Sequence, residues 1–538
     1  MSHTSIYPAQ VPVLAESAAF WVSGALLALA LVYFLVYRNH FSSIRYINGP
    51  QPTSFIFGNV IELFTKDSTV FELQWSRAFG GIFSTRWAFG ETRLYVSDPA
   101  ALHHILVTEC YSYPKPDQLR HLMSGALGQG LLFAEGEDHR RQRKVVGPAF
   151  SAAATKQYAN IFNDKAKELC ESWMSQLYSR SEAVINVSEG VARCTTDIIG
   201  IAGFNHSFDS IASGESALVR ALNTVVGCWD DSMLGVLQRS LAVRFPGLLK
   251  FASKLPVRRA IAMKACFSII EKELGDIFDA TAYHHDDHAK DFISSILKAN
   301  SKTVKAKDRL SEVETKGQVA TVAIAGLETT ATAITWALYE LSINAAVQAR
   351  LREEVRATID CRGECTLSDD DLSRMPYLDA FVREVLRFYP PIDSTLREPA
   401  KDDLIPLSEP HLCRDGKTYI THVPVKKGQR ISIGILGHNR NKAIWGEDAD
   451  VFRPERWLEM DEGTGEMGGP RGCVGYRFAV REIKTIISVL LDSLRFEPRD
   501  EDTVVLKRTT FVARPLIQGE EKLGNQLPLK VSLAPSRD

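Results

Sequence analysis

A glycine-rich segment around a single cysteine, residues 468–477, restricts the fold of this chain most, because it places a sulfur where a helix is predicted to begin. Its sequence is Gly-Gly-Pro-Arg-Gly-Cys-Val-Gly-Tyr-Arg, with Cys473 between two glycines. Apolar residues then recur at helical spacing at Phe478, Ala479, Ile483, Ile486, Ile487 and Leu490. At a helix N-terminus, the dipole and free N–H groups are expected to lower the pKa of the thiol. A thiolate can bind haem iron; a buried structural cysteine is the alternative.

Three further segments carry a recognisable pattern. Glu384 and Arg387 share one face of a helical run that ends before Pro390-Pro391. The segment Phe452–Trp457 supplies Arg456, and Ala325-Gly-Leu-Glu-Thr-Thr330 interrupts a long apolar helix. In this order the segments resemble the cytochrome P-450 superfamily of haem-thiolate monooxygenases, from about Gly49 to the C-terminus, and the cysteine segment resembles fungal microsomal members.

The resemblance implies a mainly α fold with a small β region, the cytochrome P-450 fold, with haem b (iron protoporphyrin IX) as cofactor. Cys473 would be the axial ligand of the haem iron. His139 and Arg143, at i,i+4 on one short helix, would bind a propionate together with Arg397. Arg471, two residues before the cysteine, completes the predicted cofactor-binding residues.

The family also assigns roles to charged residues that do not touch the reaction. Glu384, Arg387 and Arg456 would form a buried network that supports the cysteine segment. Removing one partner of a buried ion pair costs roughly 3–5 kcal/mol because a charge is stranded. These residues are therefore expected to be structural, with loss of haem as the consequence of their removal.

The apolar helix, from about 317 to 341, is predicted to carry the oxygen chemistry. Gly326 costs such a helix roughly 1 kcal/mol relative to alanine, and we expect its missing side chain to leave room for dioxygen beside the haem. Thr329 and Glu328 would guide protons, as the threonine at this position does in the family. The alternative is a threonine that bonds back to the i−4 carbonyl.

An uncharged stretch of twenty residues, 18–37, predicts a membrane anchor. At about 1.5 Å per residue it spans about 30 Å, the thickness of the hydrocarbon core. The first basic residue is Arg38, which predicts a cytoplasmic catalytic domain. The predicted organisation is a lumenal N-terminus (1–17), an anchor (18–38), a Pro/Gly hinge (39–54) and a catalytic domain (55–538). A cleaved signal peptide is the alternative, but it lacks a basic n-region.

The resemblance implies an enzyme of the endoplasmic reticulum membrane that receives its electrons from another protein. The net charge of −2 and pI near 6.7 do not favour a nucleic-acid partner. Electrons are expected from NADPH–cytochrome reductase, with cytochrome b5 as a second candidate donor. A glycine pattern at 463–468 is rejected as a nucleotide site because acidic residues flank it, and the histidine run 284–288 is interpreted as a solvated loop.

The expected activity inserts one oxygen atom from O2 into a lipophilic small molecule, in secondary metabolism. Pocket residues are expected within 113–132, 204–251, 322–325, 392–395 and 509–512.

One departure from the family is Glu466, where a phenylalanine is usual, in a segment several residues shorter than expected. The alternatives are therefore a haem-thiolate isomerase or dehydratase, a haem-deficient relic, or an error in the gene model.

Overall fold

The chain is described by a computed structural model that covers most of its length. The described residues are 42–65, 68–120, 128–178, 180–227, 258–283, 291–302, 308–360, 367–460, 469–509 and 512–536, with short pieces between 21 and 33 and residues 237 and 241. The predicted lumenal residues 1–17, the histidine run 284–288, and Glu466 with the glycine pattern around it lie outside these ranges. So does most of the predicted anchor, 18–38.

Helices make up most of the described chain, which confirms the predicted mainly α fold. They are α1 Val60–Thr65, α2 Ser68–Phe79, α3 Pro99–His103, α4 Gly136–Val146, α5 Ala152–Lys156, α6 Ala159–Ser175, α7 Val187–Phe204, α8 Ser210–Ser213, α9 Ala217–Gly227, α10 Arg258–Tyr283, α11 Phe292–Lys302, α12 Glu312–Ile343, α13 Ala345–Asp360, α14 Asp369–Ser373, α15 Pro376–Phe388, α16 Ile435–Asn439, α17 Lys442–Trp445, α18 Arg456–Glu459 and α19 Tyr476–Ser493.

The strands form small sheets that join distant parts of the chain. They are β1 Ile82–Arg86, β2 Thr92–Val96, β3 Glu182–Asn186, β4 Ser394–Arg397, β5 Asp403–Leu412, β6 Tyr419–Val425, β7 Ile431–Gly434, β8 Leu494–Pro498, β9 Val505–Thr509, β10 Ala513–Ile517 and β11 Pro528–Leu533. The largest sheet has the order β1-β2-β7-β4, with β2 and β7 parallel. The β region is therefore assembled from both halves of the chain, and not only from the start of the catalytic domain.

Helix α12 crosses the centre of the main apolar core. Its N-terminus is fixed by a capping box, in which Ser311 and Glu314 satisfy each other's backbone N–H groups. Most of its residues are buried, and it packs against α7 and α19. Because its side chains are apolar on nearly every face, burial through the core is the arrangement that removes them from water. Helix α12 thus positions residues 325–330 in the middle of the molecule.

Among the described residues, α12 is also the one helix long and apolar enough to cross a membrane, and its apolar window is 72% buried inside the protein. The predicted hinge, 39–54, is packed where it is described. Ile44 and Ile47 are fully buried in the core beside the main sheet. The backbone N–H of Ser84 in β1 donates to the Asn48 carbonyl at 2.8 Å. Tight packing therefore begins before residue 55, the predicted start of the catalytic domain.

Candidate functional site

The cysteine segment lies between helix α4 and the start of helix α19. Cys473 stands three residues before the first residue of α19, as its sequence pattern predicts, and its side chain is exposed. Gly469 has a φ of +54°, and a Cβ there would lie 2.5 Å from the Leu106 carbonyl oxygen, so only glycine fits. Arg143 of α4 donates a hydrogen bond of 2.7 Å to the Gly472 carbonyl. A propionate-binding candidate therefore also holds the residue next to the cysteine.

The expected low pKa of the thiol is not what the protein by itself produces. The Cys473 side chain is exposed, but the protein atoms packed around it desolvate the thiol. This desolvation raises the pKa of Cys473, and the Gly475 backbone N–H and the charge of Arg143 offset the rise only in part. The prediction of a lowered pKa is therefore wrong for the protein alone, because burial outweighs the helix terminus. A metal that binds a thiol deprotonates it directly.

A cluster of cations lies beside this segment. Lys115 and Arg471 both form ion pairs with Glu135, the first at 2.7 Å. Burial would raise the pKa of Glu135, but Arg471 and Lys115 lower it to about 2. Burial lowers the pKa of Arg397 to about 10, and the charge of Arg471 contributes. With Arg143, four cations thus accompany one carboxylate.

His139 belongs to the same cluster but carries no charge at pH 7. It is 4% exposed, and Nδ1 lies 3.2 Å from the Tyr111 hydroxyl. Burial lowers the pKa of His139 to about 4, with a further contribution from the neighbouring cations. A neutral ring can still donate one N–H to an anion.

The donor set fits the two carboxylates expected on haem. Nε and Nη1 of Arg471 and Nε of Arg397 are buried without a hydrogen-bond partner. Buried guanidinium N–H groups are rarely left unsatisfied, and planar guanidinium groups suit carboxylates well. The excess of cations and these unpaired donors therefore identify an anion site within reach of Cys473.

The predicted structural network is assembled around Glu384, which is completely buried. Arg387 donates to both of its oxygens, at 2.7 and 2.8 Å, and Arg456 donates at 3.2 Å. Trp457 Nε1 adds a fourth side-chain bond at 2.9 Å. Burial would raise the pKa of Glu384, but the hydrogen bonds and charge of Arg387 lower it. The two arginines also bind carbonyls of residues 439–451, so the network secures the chain that leads toward the cysteine segment.

Ala325 is exposed in the middle of helix α12, where most neighbouring residues are buried, so open space lies beside it. One turn later, Thr329 Oγ1 donates a 2.7 Å hydrogen bond to the Ala325 carbonyl. This is the back-bonded arrangement that the sequence left as the alternative. The Thr329 hydroxyl oxygen can still accept a hydrogen bond in this position.

The structure gives a different reason for Gly326 than the expected room for dioxygen. A Cβ at Gly326 would lie 2.9 Å from Cδ1 of Ile199 on helix α7. The glycine therefore allows two core helices to pack closely, and its expected role beside dioxygen stays a prediction. The neighbouring Ala325, and not Gly326, presents the exposed surface.

Glu328 is not free to act alone, because it forms an ion pair with Arg514 of β10. Two turns further along α12, Trp336 Nε1 donates to the Ala513 carbonyl at 2.7 Å. The start of β10 is therefore attached to α12 at two points. Sequence reasoning missed Arg514, since nothing in the local pattern connects residues 186 positions apart.

Sequence reasoning also missed Lys115, Glu135 and Glu482. Lys115 lies within the predicted pocket segment 113–132, and Glu135 directly precedes α4, but neither position carries a periodic signal.

Glu482 of α19 is 1% exposed and is hydrogen-bonded to Thr330. Burial raises the pKa of Glu482 well above its ordinary value, and the hydrogen bond with Thr330 opposes the rise. This contact ties the helix behind Cys473 to α12.

Comparison with known proteins matches almost the whole chain. A family model described as cytochrome P-450 matches residues 48–518. Cytochrome P-450 monooxygenase 205 of Postia placenta is 34% identical over 91% of this chain and 93% of its own. Monooxygenase 128 of the same fungus is 33% identical over 95% and 97%. Cytochrome P-450 monooxygenase claO of Ampulloclitocybe clavipes is 32% identical over 90% and 92%.

Proposed function

The chain belongs to the cytochrome P-450 family, and from this premise we propose that it inserts one oxygen atom from O2 into a lipophilic small molecule of secondary metabolism. Membership makes it a monooxygenase with thiolate-ligated haem, a small-molecule substrate and a reductase as redox partner, as the sequence predicted. The observation that carries the proposal is the exposed Cys473 beside buried arginines with unpaired N–H groups.

The residues around Cys473 would hold the cofactor. Bound there, thiolate-ligated haem supplies the activation of dioxygen. Cys473 would ligate the iron, while Arg397, Arg471 and neutral His139 would donate hydrogen bonds to the propionates. Arg143 would orient the cysteine through the Gly472 carbonyl. The buried network of Glu384, Arg387 and Arg456 would keep this support rigid without touching the reaction.

Residues of helix α12 beside the exposed Ala325 would handle protons. Thr329 can rotate its hydroxyl away from the Ala325 carbonyl toward the open space there and donate its proton. Glu328, held by Arg514, would supply an acidic group one residue away. Substrate would enter beside Ala325, where the helix presents a small apolar surface.

Electrons would come from NADPH–cytochrome reductase, with cytochrome b5 as a second donor, at the endoplasmic reticulum membrane. The uncharged segment 18–37, followed by Arg38, supports a single-pass anchor with the catalytic domain in the cytoplasm. Trp21, Leu26 and Leu29 in this segment are more than half exposed, as lipid-facing side chains would be.

The decisive experiment is the carbon monoxide difference spectrum of the dithionite-reduced protein, with Cys473→Ser as the matched control. A strongly red-shifted Soret band in the wild type that is absent in the variant supports the proposal. An unshifted band, or no haem, would contradict it and favour the haem-deficient relic. Turnover that is independent of NADPH and reductase would favour the isomerase or dehydratase alternative.

A further inference from the structure

Residues 128–134, here called the roof loop, lie directly on helix α12 because glycines face each other at the contact. A Cβ at Gly130 would be 2.2 Å from the Gly317 carbonyl oxygen and 2.3 Å from Thr321 Oγ1. A Cβ at Gly317 would be 2.5 Å from the Gly130 nitrogen. No side chain fits at either position, so the contact depends on backbone meeting backbone.

Two buried glutamines secure the roof loop in this place. Gln318 Oε1 accepts a hydrogen bond from the Leu131 backbone N–H at 3.0 Å, and its Nε2 donates to Gln142 Oε1 at 2.9 Å. Gln142 Nε2 in turn donates to the Gln129 carbonyl at 3.0 Å. The two side chains are 1% and 2% exposed. A buried amide chain in which every member is bonded specifies one geometry strongly.

The glutamine pair joins three parts of the site. Gln142 lies on α4 between His139 and Arg143, and Gln318 lies on α12 ahead of Ala325. Glu314 also accepts from Gln142, at 3.2 Å, and from Arg141. The roof loop, the haem-binding helix and the start of α12 are therefore bonded into one unit.

The roof loop covers the turn of α12 just before the exposed Ala325. Gly130 touches Thr321, which lies four residues, or about 6 Å along the axis, before Ala325. The Thr321 hydroxyl is covered by the loop and has no hydrogen-bond partner. Displacing the loop would uncover this part of α12 and widen the open space beside Ala325 from the side of Leu131 and Leu132.

We propose that Gln142 and Gln318 are positioning residues that pin the roof loop on α12 and thereby limit the size of the molecule that reaches Cys473. The inference rests on the proposed haem-thiolate function. We expect the two glutamines to affect which sizes of molecule bind, and not the reaction itself. Each glutamine bonds both the roof loop and the other glutamine, so the loss of one weakens the hold of the other on the loop.

The test measures spectral binding of two azoles whose nitrogen ligates haem iron, imidazole and the much bulkier clotrimazole. The variants are Gln142→Leu, Gln318→Leu and the double variant, with Gln176→Leu on the exposed end of α6 as control. The ratio of the imidazole Kd to the clotrimazole Kd should rise at least about fivefold in both single variants, and in the double variant by less than the product of the two single effects. The control should leave it unchanged.

Gly130→Ala displaces the roof loop by a second route that keeps both glutamines, with Gly275→Ala, which has open space around it, as control. Gly130→Ala should also raise the ratio of the imidazole Kd to the clotrimazole Kd. If the glutamine variants lose haem, this variant alone tests whether the roof loop limits size. An equal change for both azoles, or none, in variants that keep the red-shifted carbon monoxide band overturns the inference. Absence of that band in the wild type would instead refute the proposed function.

Discussion

Arg143 Nη1 lies 2.7 Å from the carbonyl oxygen of Gly472, so helix α4 is bonded directly to the residue that precedes Cys473. The sequence assigned Arg143 only to a propionate. The structure adds support of the cysteine segment, and a charge that lowers the pKa of the thiol. One side chain thus supports the cysteine segment and is also predicted to bind a propionate.

We expect Arg143→Ala to weaken haem retention about tenfold, as loss of a ligand's supporting partner commonly does. Haem per protein after gel filtration and the carbon monoxide spectrum measure the effect. Lys144→Ala is the control, since Lys144 is exposed on the same helix and forms a surface ion pair with Asp308 at 3.6 Å. Equal loss of haem in both variants would mean that any substitution on α4 weakens haem retention. That outcome would contradict a specific role for Arg143.

The ion pair of Glu328 with Arg514 predicts a defect in proton delivery when its cation is removed. Arg514→Gln should raise the hydrogen peroxide released per NADPH oxidised by the reconstituted enzyme, by roughly threefold or more, because the acid loses its position. Glu328→Gln should do the same, and the double variant should be no worse than either single one. Arg495→Gln, at a surface pair in β8, is the control.

A normal carbon monoxide spectrum with unchanged peroxide release in Arg514→Gln would rule out this positioning role. A lost spectrum would show that the attachment of β10 to α12 is needed for folding, in which case Glu328→Gln alone tests the acid.

The buried network predicts a sharp contrast between two arginines of α15. Arg387→Ala strands the buried Glu384 and should destabilise the protein by about 3–5 kcal/mol, with loss of haem. Arg383→Ala removes a half-exposed arginine that pairs with Asp379 and should cost at most about 1 kcal/mol. Urea unfolding and haem content measure both. Similar losses would mean that the network stabilises the protein no more than a surface pair.

Close packing predicts the behaviour of Gly326. Gly326→Ala should cost about 1–3 kcal/mol, because its methyl group collides with Ile199. Ile199→Ala removes both close atoms, Cδ1 at 2.9 Å and Cγ1 at 3.0 Å, and should make the second substitution much less costly. Gly203→Ala, whose Cβ meets only ordinary contacts at 3.7–3.8 Å, is the control on the facing helix. A loss of activity that Ile199→Ala does not relieve would support the expected role in admitting dioxygen.

Glu340 predicts a pH-dependent stability. Burial raises the pKa of Glu340 from 4.5 to about 7, although the hydrogen bond of 2.5 Å that Tyr389 donates lowers it in part. The folded state therefore favours the neutral carboxyl group. The stability that Glu340 contributes is present below pH 4.5 and is lost as the pH rises to about 7. Glu340→Gln, always neutral, should be more stable than the wild type by about 2 kcal/mol at pH 8 and similar at pH 4.5.

Thermal unfolding at the two pH values tests this, with the exposed Glu353→Gln as control. A gain at pH 4.5 equal to that at pH 8 would assign the effect to packing and not to ionisation.

The local chemistry of the site was predictable from the sequence because it lies in short continuous segments. The helix after Cys473, the buried path of α12 and the pairing of Glu384 with Arg387 each follow from spacing within a few residues. A short segment is enough for such a prediction, because a helix repeats every 3.6 residues. The spacing of its apolar residues therefore shows whether one face or every face is buried.

The tertiary structure alone decided which distant side chains meet. Nothing near Arg514 indicates Glu328, nothing near Gln142 indicates Gln318, and Gly326 is explained by Ile199, more than a hundred residues away. It also reversed the expected effect on Cys473, because the desolvation that raises a pKa comes from the whole surroundings and not from the nearest helix end. Contacts between residues far apart in the chain leave no periodic trace, so they exist only once the helices have packed.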